Sequence, residues 1–88
     1  MRSLVFEGGA WADYQNMQRK DRNALASLHR IIKEILRHPD AGRGRPERLK
    51  HHDIELWSRR INQKDRVVYR YDDEYVYIYA IHGHYDRL

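Results

Sequence analysis

The sequence predicts a small α+β domain in which two helices pack on one face of a mostly antiparallel sheet, in the order βααββββ. Three observations lead to this prediction: a short apolar run near the N-terminus, two segments with helical periodicity, and several later segments that alternate along the chain. Apolar side chains recur every three or four residues on a buried helix face and every second residue on a strand. Helices followed by a series of strands are typical of α+β folds.

The first half of the chain predicts one strand and two helices. Residues 4–6 form an apolar strand that Gly8 and Gly9 end. Residues 10–19 place an aromatic and apolar stripe on one helical face, formed by Trp11, Tyr14 and Met17. Asp21 is a suitable N-cap for a second helix over residues 22–37, and Pro39 follows its last turn. The second helix carries the longer stripe, which consists of Leu25, Leu28, Ile31, Ile32, Ile35 and Leu36.

The second half predicts strands joined by polar turns. Residues 56–61 and 66–71 form a hairpin around the turn 62–65, preceded by a short strand near residues 48–50 and a glycine-containing connector. Alternation places Trp57, Arg59 and Ile61 on one face of the first hairpin strand, with Leu56, Ser58 and Arg60 on the other. In the second hairpin strand, Val67, Tyr69 and Tyr71 oppose Arg66, Val68 and Arg70. In the last strand, residues 75–81, Val76, Ile78 and Ala80 oppose Tyr75, Tyr77 and Tyr79.

Length and composition indicate one domain, residues 1–88, with a partner of opposite charge. Hydrophobic residues make up 41% of the 88 residues and cysteine is absent, so packing without disulfides must form the core. No apolar run is long enough to span a membrane and the N-terminus does not resemble a signal peptide, which favours a cytoplasmic protein. The net charge of +4 indicates an anionic partner such as nucleic acid.

Several ionisable residues in the second half fit the needs of RNA cleavage. The reaction requires a base for the 2′-hydroxyl proton, positive charge for the phosphate and an acid for the departing 5′-oxygen. Glu47 is a candidate base, and Arg66, with Arg60 or Lys50, is a candidate source of charge. The imidazole of His84 is a candidate acid because histidine titrates near neutral pH. This chemistry needs no metal or other cofactor.

Each of these residues also has a simpler interpretation. Glu47 is typical of a solvated loop carboxylate, and Arg60 and Arg66 are typical of surface arginines paired with acidic residues. His84, near the C-terminus, is typical of a tail residue, and Lys50 of a surface lysine. A metal site is a weaker interpretation, because His51 and His52 point apart on a strand and only the spacing of His82 and His84 places two imidazoles on one face. Periodicity alone does not decide among these alternatives.

Several spaced motifs give the chain a specific resemblance to a known family. They are W-x-D-Y at residues 11–14, G-R-G-R-P-E-R-L-K-H at 42–51, L-W-S-R-R-I at 56–61, R-V-V-Y at 66–69 and H-Y at 84–85. With the helix that ends before His38 and Pro39, they cover nearly the whole chain. On these motifs the sequence resembles the YoeB-type (Txe/YoeB family) toxins of the RelE superfamily, which belong to toxin–antitoxin systems.

The resemblance implies a RelE-like fold and a ribosome-dependent endoribonuclease that cuts mRNA in the ribosomal A site and so inhibits translation. By motif position it implies Glu47 as general base, Arg66 as the group that stabilises the transition-state phosphate, and His84 as general acid. It further implies that Lys50 and Arg60 add charge near the scissile phosphate and that Tyr85 positions the nucleotide. The implied products carry a 2′,3′-cyclic phosphate or 3′-phosphate and a 5′-hydroxyl.

The resemblance also implies partners. These are the 70S ribosome with its mRNA, a YefM-type antitoxin, a second copy of the toxin, and operator DNA reached only through the antitoxin complex. This chain continues past the His-Tyr pair with residues 86–88, whose carboxylate would either favour the protonated His84 imidazole or hold it away from substrate. A second hypothesis stays open, in which a non-catalytic basic protein binds its antitoxin through the sheet and acts with it on DNA.

Overall fold

The computed structural model describes residues 1–50 and 53–82 and has the predicted order of elements. The elements are β1 (Ser3–Phe6), α1 (Ala10–Lys20), α2 (Arg22–Arg37), β2 (Glu47–Arg48), β3 (Trp57–Arg60), β4 (Arg66–Tyr71) and β5 (Tyr75–His82). The order βααββββ and the α+β class are therefore confirmed.

The strands form one five-stranded sheet in the spatial order β1-β5-β4-β3-β2. Successive strands from β2 to β5 are antiparallel, whereas β1 pairs with β5 in parallel. A parallel pair needs a crossover connection, and the two helices lie in the segment between β1 and the remaining strands. The sheet is thus mixed, with β1 at one edge and the short β2 at the other.

The two helices meet at Asp21, which is the N-cap of α2 as predicted. Its side-chain Oδ1 accepts a hydrogen bond from the backbone N–H of Ala24 at 3.0 Å. This bond satisfies one of the amide groups that the first helical turn leaves without a partner. The stripe of α2 faces the sheet, and its most buried members are Leu28, Ile31, Ile32 and Ile35. Neither helix of the described chain is long and apolar enough to cross a membrane.

The core lies between the helices and one face of the sheet. Val67, Tyr69, Val76, Ile78 and Ile81 supply its sheet side and are almost fully buried. We call the opposite side of the sheet the outer face. It carries a smaller apolar cluster of Leu56, Val68 and Ala80, against which Leu49 and Tyr79 pack. The predicted faces of the β3–β4 hairpin agree with this division.

The predicted faces of β5 are wrong at Ala80 because the strand contains a bulge. Val68 pairs with Ala80 but the next residue of β4, Tyr69, pairs with Ile78, so Tyr79 has no residue opposite it. An extra residue reverses the alternation of side chains along a strand. Ala80 therefore lies in the outer-face cluster rather than with Val76 and Ile78, and Ile81 enters the core.

Burial distinguishes two isoleucines that serve as a matched pair for testing this core. Ile78 is fully buried, whereas Ile54 is 44% exposed. We expect Ile78→Ala to lower the free energy of unfolding by about 2 to 5 kcal/mol, because it removes packing and leaves a cavity. Ile54→Ala should change that free energy by less than about 0.5 kcal/mol. Urea denaturation measures both, and equal losses would contradict the described packing.

Candidate functional site

Glu47 lies on an edge strand and not in a loop. The short strand predicted near residues 48–50 begins at Glu47 and ends at Arg48, and it pairs with β3 so that Glu47 is opposite Ser58. Residues directly opposite each other in a sheet point to the same face. Ser58 in turn is opposite Val68 of the outer cluster, so the Glu47 carboxylate belongs to the outer face.

The candidate arginines lie on the same face, at the end of the sheet nearest the β3–β4 turn. Arg60 pairs with Arg66, and Arg66 pairs with His82 on the other side. Arg66 lies two residues from Val68 and Arg60 two residues from Ser58, which puts both arginines on the outer face. Three cationic or titratable side chains therefore form a row across three adjacent strands.

The carboxylate of Glu47 meets this row at Arg66. Nη1 of Arg66 is 3.8 Å from Oε2 of Glu47, so the arginine side chain reaches diagonally past β3. The Glu47 side chain is 67% exposed and that of Arg66 23% exposed. The pair thus holds a carboxylate and a guanidinium together at an open surface, where a bound phosphodiester can contact both groups.

The remaining predicted site residues are Lys50, His84 and Tyr85. Lys50 is exposed, beyond the end of β2, and within the described chain it makes no ion pair with Glu47. His84 and Tyr85 lie outside the described residues. The last residue of β5, His82, is opposite Arg66, so β5 ends beside the candidate site.

A basic groove adjoins the site on the side of α2. Its volume is about 410 Å³, and it is lined by Arg30, Arg43 and Arg60 together with Gly44 and parts of the β3–β4 turn. Guanidinium groups bind phosphate oxygens with paired hydrogen bonds. Arg60 belongs both to the groove and to the row with Arg66, so the groove extends the positive surface away from Glu47.

Arg59 is a residue whose role the sequence did not reveal. Alternation places it correctly on the face of Trp57 and Ile61, but no motif or pattern assigned it a role. The structure buries it completely, and its Nε donates a hydrogen bond to the hydroxyl of Tyr69 at 3.1 Å. Burial raises the pKa of Tyr69, opposed in part by the hydrogen bond from Arg59. The available signal was a charged residue at an apolar position of the strand pattern.

The metal interpretation finds no site in residues 1–50 and 53–82. No group of three or more histidine, aspartate or glutamate side chains there is arranged to hold a metal ion. His51, His52 and His84, on which part of that interpretation depended, lie outside these residues. The groups that do meet are a carboxylate and arginines, which suit acid–base and phosphate chemistry.

Solved structures share this fold and define the class of protein. The YoeB dimer from Staphylococcus aureus has a TM-score of 0.87 and 33% identity, covering 96% of this chain and 98% of that one. The toxin in a YoeB–YefM complex from the same species has a TM-score of 0.84 and 31% identity, covering 97% and 99%. The Escherichia coli DinJ–YafQ complex contains the same fold at 10% identity, with a TM-score of 0.79 and coverage of 93% and 92%. The fold is that of the small RelE/YoeB-like toxins.

Sequence comparison identifies the family within this class. Residues 6–85 match the sequence model of the YoeB-like toxins of bacterial type II toxin–antitoxin systems. Toxin YoeB of Escherichia coli K12 is 37% identical over 82 residues, which cover 93% of this chain and 98% of the relative. Toxin RelK of Mycobacterium tuberculosis is 39% identical over 85 residues, covering 97% and 100%. The chain belongs to the YoeB-like toxin family, and the resemblance found in the motifs is confirmed.

The exposure of the Glu47–Arg66 pair predicts that it contributes little to stability. Ion pairs open to solvent contribute less than about 1 kcal/mol, because water screens the charges. We expect Glu47→Gln to change the free energy of unfolding by no more than that amount in urea denaturation. A loss of several kcal/mol would instead assign Glu47 a structural role and weaken its assignment to the site.

Proposed function

We propose that this toxin is a ribosome-dependent endoribonuclease that cuts mRNA in the A site and thereby inhibits translation. The observation that carries the proposal is the meeting of Glu47 with Arg66 on the outer face, beside Arg60 and next to the end of β5. RNA cleavage requires a base, a positive charge and an acid. The exposed Glu47–Arg66 pair offers the first two of these. Family membership supports the same activity, since the YoeB family consists generally of ribonucleases.

In the proposed reaction the RNA supplies its own nucleophile. Glu47 accepts the proton of a 2′-hydroxyl, and the 2′-oxygen attacks the adjacent phosphorus. Arg66 and Arg60 stabilise the negative charge that develops on the phosphate oxygens. The bond to the 5′-oxygen breaks as His84 donates a proton to that oxygen. The products are a 2′,3′-cyclic phosphate and a 5′-hydroxyl, and the side chains supply all the required groups without a metal.

The remaining predicted residues have supporting roles in this proposal. Lys50 adds positive charge beside the phosphate, and Tyr85 positions the nucleotide. The groove with Arg30 and Arg43 provides further cationic surface for the RNA backbone. Binding through such contacts weakens steeply as salt rises, because phosphate neutralisation releases counterions. The ribosome places this activity in the cytoplasm.

The proposed protein partners follow from the solved relatives. A Staphylococcus aureus relative forms a YoeB dimer, and relatives from that species form YoeB–YefM complexes, including a heterotetramer. We propose that this chain likewise forms a homodimer and binds a YefM-type antitoxin, and that it reaches operator DNA only in that complex. The basic surface of the toxin suits a partner segment with acidic residues.

The proposal predicts a selective loss of chemistry on changing Glu47. We expect Glu47→Gln to lower the single-turnover rate of mRNA cleavage on programmed ribosomes about 100- to 10,000-fold, because the amide cannot accept the 2′-hydroxyl proton. Ribosome affinity should stay within about threefold, since phosphate contacts from the arginines remain. Quenched-flow cleavage and ribosome pelleting measure the two quantities separately.

Glu74→Gln is the matched control for this experiment. Glu74 is exposed in the turn between β4 and β5, at the opposite end of β4 from Arg66. Its substitution by glutamine should therefore leave the cleavage rate unchanged. Equal losses of rate and affinity in Glu47→Gln would contradict the proposed role of the carboxylate. Growth arrest by Glu47→Gln as strong as that by the unsubstituted toxin, without antitoxin, would favour a non-catalytic binding protein.

A further inference from the structure

The fully buried Arg59 uses its guanidinium to hold the connector between α2 and β2. Besides the bond to Tyr69, its Nη1 donates to the carbonyl of Arg43 at 3.3 Å, and its Nη2 donates to the carbonyl of His38. A buried charge is costly unless its hydrogen-bonding groups find partners. Here two of those partners are backbone carbonyls of the connector. The arginine therefore fixes the path of the connector, and the connector satisfies the donors of the buried arginine.

Two further side chains fasten the same segment from other elements. The Tyr69 hydroxyl on β4 donates a hydrogen bond to the carbonyl of Pro39. Glu34 on α2 accepts a hydrogen bond from the backbone N–H of Arg43 at 2.9 Å and is 3.4 Å from the Nε of the same residue. We call Arg59, Tyr69 and Glu34 the connector clamp, because together they join α2, β3 and β4 to residues 38–43.

Next to the connector clamp, Gly44 makes a close backbone contact with Arg60, just before Glu47. The carbonyl of Gly44 accepts a hydrogen bond from the N–H of Arg60 at 2.7 Å. Gly44 has a φ of +81°, and a Cβ at this position would stand 2.6 Å from the carbonyl oxygen of Arg60. Only glycine permits this approach. The connector is therefore fastened to β3 three residues before Glu47.

The segment between that contact and Glu47 is strained. From Gly44 to Glu47 the connector advances three residues, whereas β3 advances two, from Arg60 to Ser58. Arg45 adopts a φ of +52° within this stretch, directly before a proline. A non-glycine residue in this region costs free energy, and a following proline disfavours helical conformations further. Such a conformation persists only where both ends are held.

The strand that carries Glu47 is short, although a hydrogen bond from the Leu49 N–H to the Leu56 carbonyl at 2.8 Å extends its pairing with β3. β2 has two residues and lies at the edge of the sheet. Short edge pairings open easily because few hydrogen bonds hold them. We propose that Arg59 and Tyr69 are positioning residues that set the place of the Glu47 carboxylate relative to Arg66. This inference rests on the proposed nuclease function of Glu47.

The choice of residue types supports a positioning role over simple core packing. Arg59 also forms an ion pair with Glu34, with 3.9 Å between Nη1 and Oε1. Replacement of a whole buried ion pair by apolar side chains of similar size is often neutral or stabilising in proteins, so stability alone does not require the pair. An apolar side chain at position 59 would fill the same space but would not fix the carbonyls of His38 and Arg43. A guanidinium offers donors in a rigid planar fork, which selects one path of the connector.

Tyr69→Phe and Arg59→Lys test the inference. Phenylalanine keeps the packed ring and removes the hydroxyl, and lysine keeps the charge and removes the fork. We expect each to lower the single-turnover cleavage rate on saturating ribosomes about 10- to 100-fold, because displacement of a catalytic group by about 1 Å costs that much. Ribosome affinity should stay within threefold. Assays are run at a temperature at which circular dichroism reports both variants fully folded.

Matched controls separate the clamp from general effects of the substitutions. Tyr75→Phe removes a hydroxyl from a tyrosine that is 40% exposed. Arg19→Lys changes an exposed arginine on α1 whose guanidinium is 3.2 Å from Asn16. Both should cut at the rate of the unsubstituted toxin. Rates for Tyr69→Phe and Arg59→Lys equal to those of these controls would overturn the inference.

A double-mutant cycle distinguishes positioning from a structural effect. If Tyr69 acts through Glu47, Tyr69→Phe should lower the rate far less in a Glu47→Gln background than in the unsubstituted toxin. The Glu47→Gln reactions are followed at toxin concentrations at which cleavage exceeds that of ribosomes alone. Equal fold-losses in the two backgrounds would overturn the positioning role while leaving the nuclease proposal intact. An unchanged rate in Glu47→Gln itself would overturn both.

Discussion

The buried guanidinium of Arg59 is the interaction on which the arrangement of the outer face depends. It lies between the sheet and the connector and donates to two backbone carbonyls of the connector and to the Tyr69 hydroxyl. Because these bonds fix the connector, the Gly44 carbonyl reaches Arg60 and the short β2 pairs with β3. The position of Glu47 beside Arg66 is the last consequence of this series of contacts.

Adjacent arginines on β3 have opposite environments because side chains alternate along a strand. Arg59 points into the core side and is fully buried, whereas Arg60 is exposed on the outer face and lines the basic groove. Arg59 fixes the backbone of the connector, and Arg60 provides positive charge for a ligand. Burial of the apolar stripe of α2 on the core side leaves the outer face free for charged groups, which the small cluster around Val68 supports.

Much of the fold could be predicted from the sequence because its signals are local. The stripe of α2, the cap at Asp21 and the two hairpin strands each follow from neighbouring residues, and all are present. The bulge at Tyr79 was missed because Ala80 continues the alternation of Val76 and Ile78, so the reversal shows only at Ile81. The family motifs named Glu47 and Arg66 together, but only the pairing across β2, β3 and β4 brings them within 3.8 Å. The clamp was missed because most of its partners are backbone groups of the connector, which carry no sequence signal. Its one available signal was the charged Arg59 at an apolar position of the strand pattern.

In the proposed reaction, Glu47, Arg66 and His84 act on a single phosphate through the neighbouring 2′-hydroxyl of the RNA. The most direct test uses an mRNA with one 2′-deoxynucleotide at the cleaved position in the A-site codon, bound to programmed ribosomes. We expect cleavage at that position to stop, while toxin binding to the ribosome is unchanged, because the nucleophile is missing. Cleavage of the 2′-deoxy message at the same position and rate as the all-RNA message would contradict the proposed mechanism.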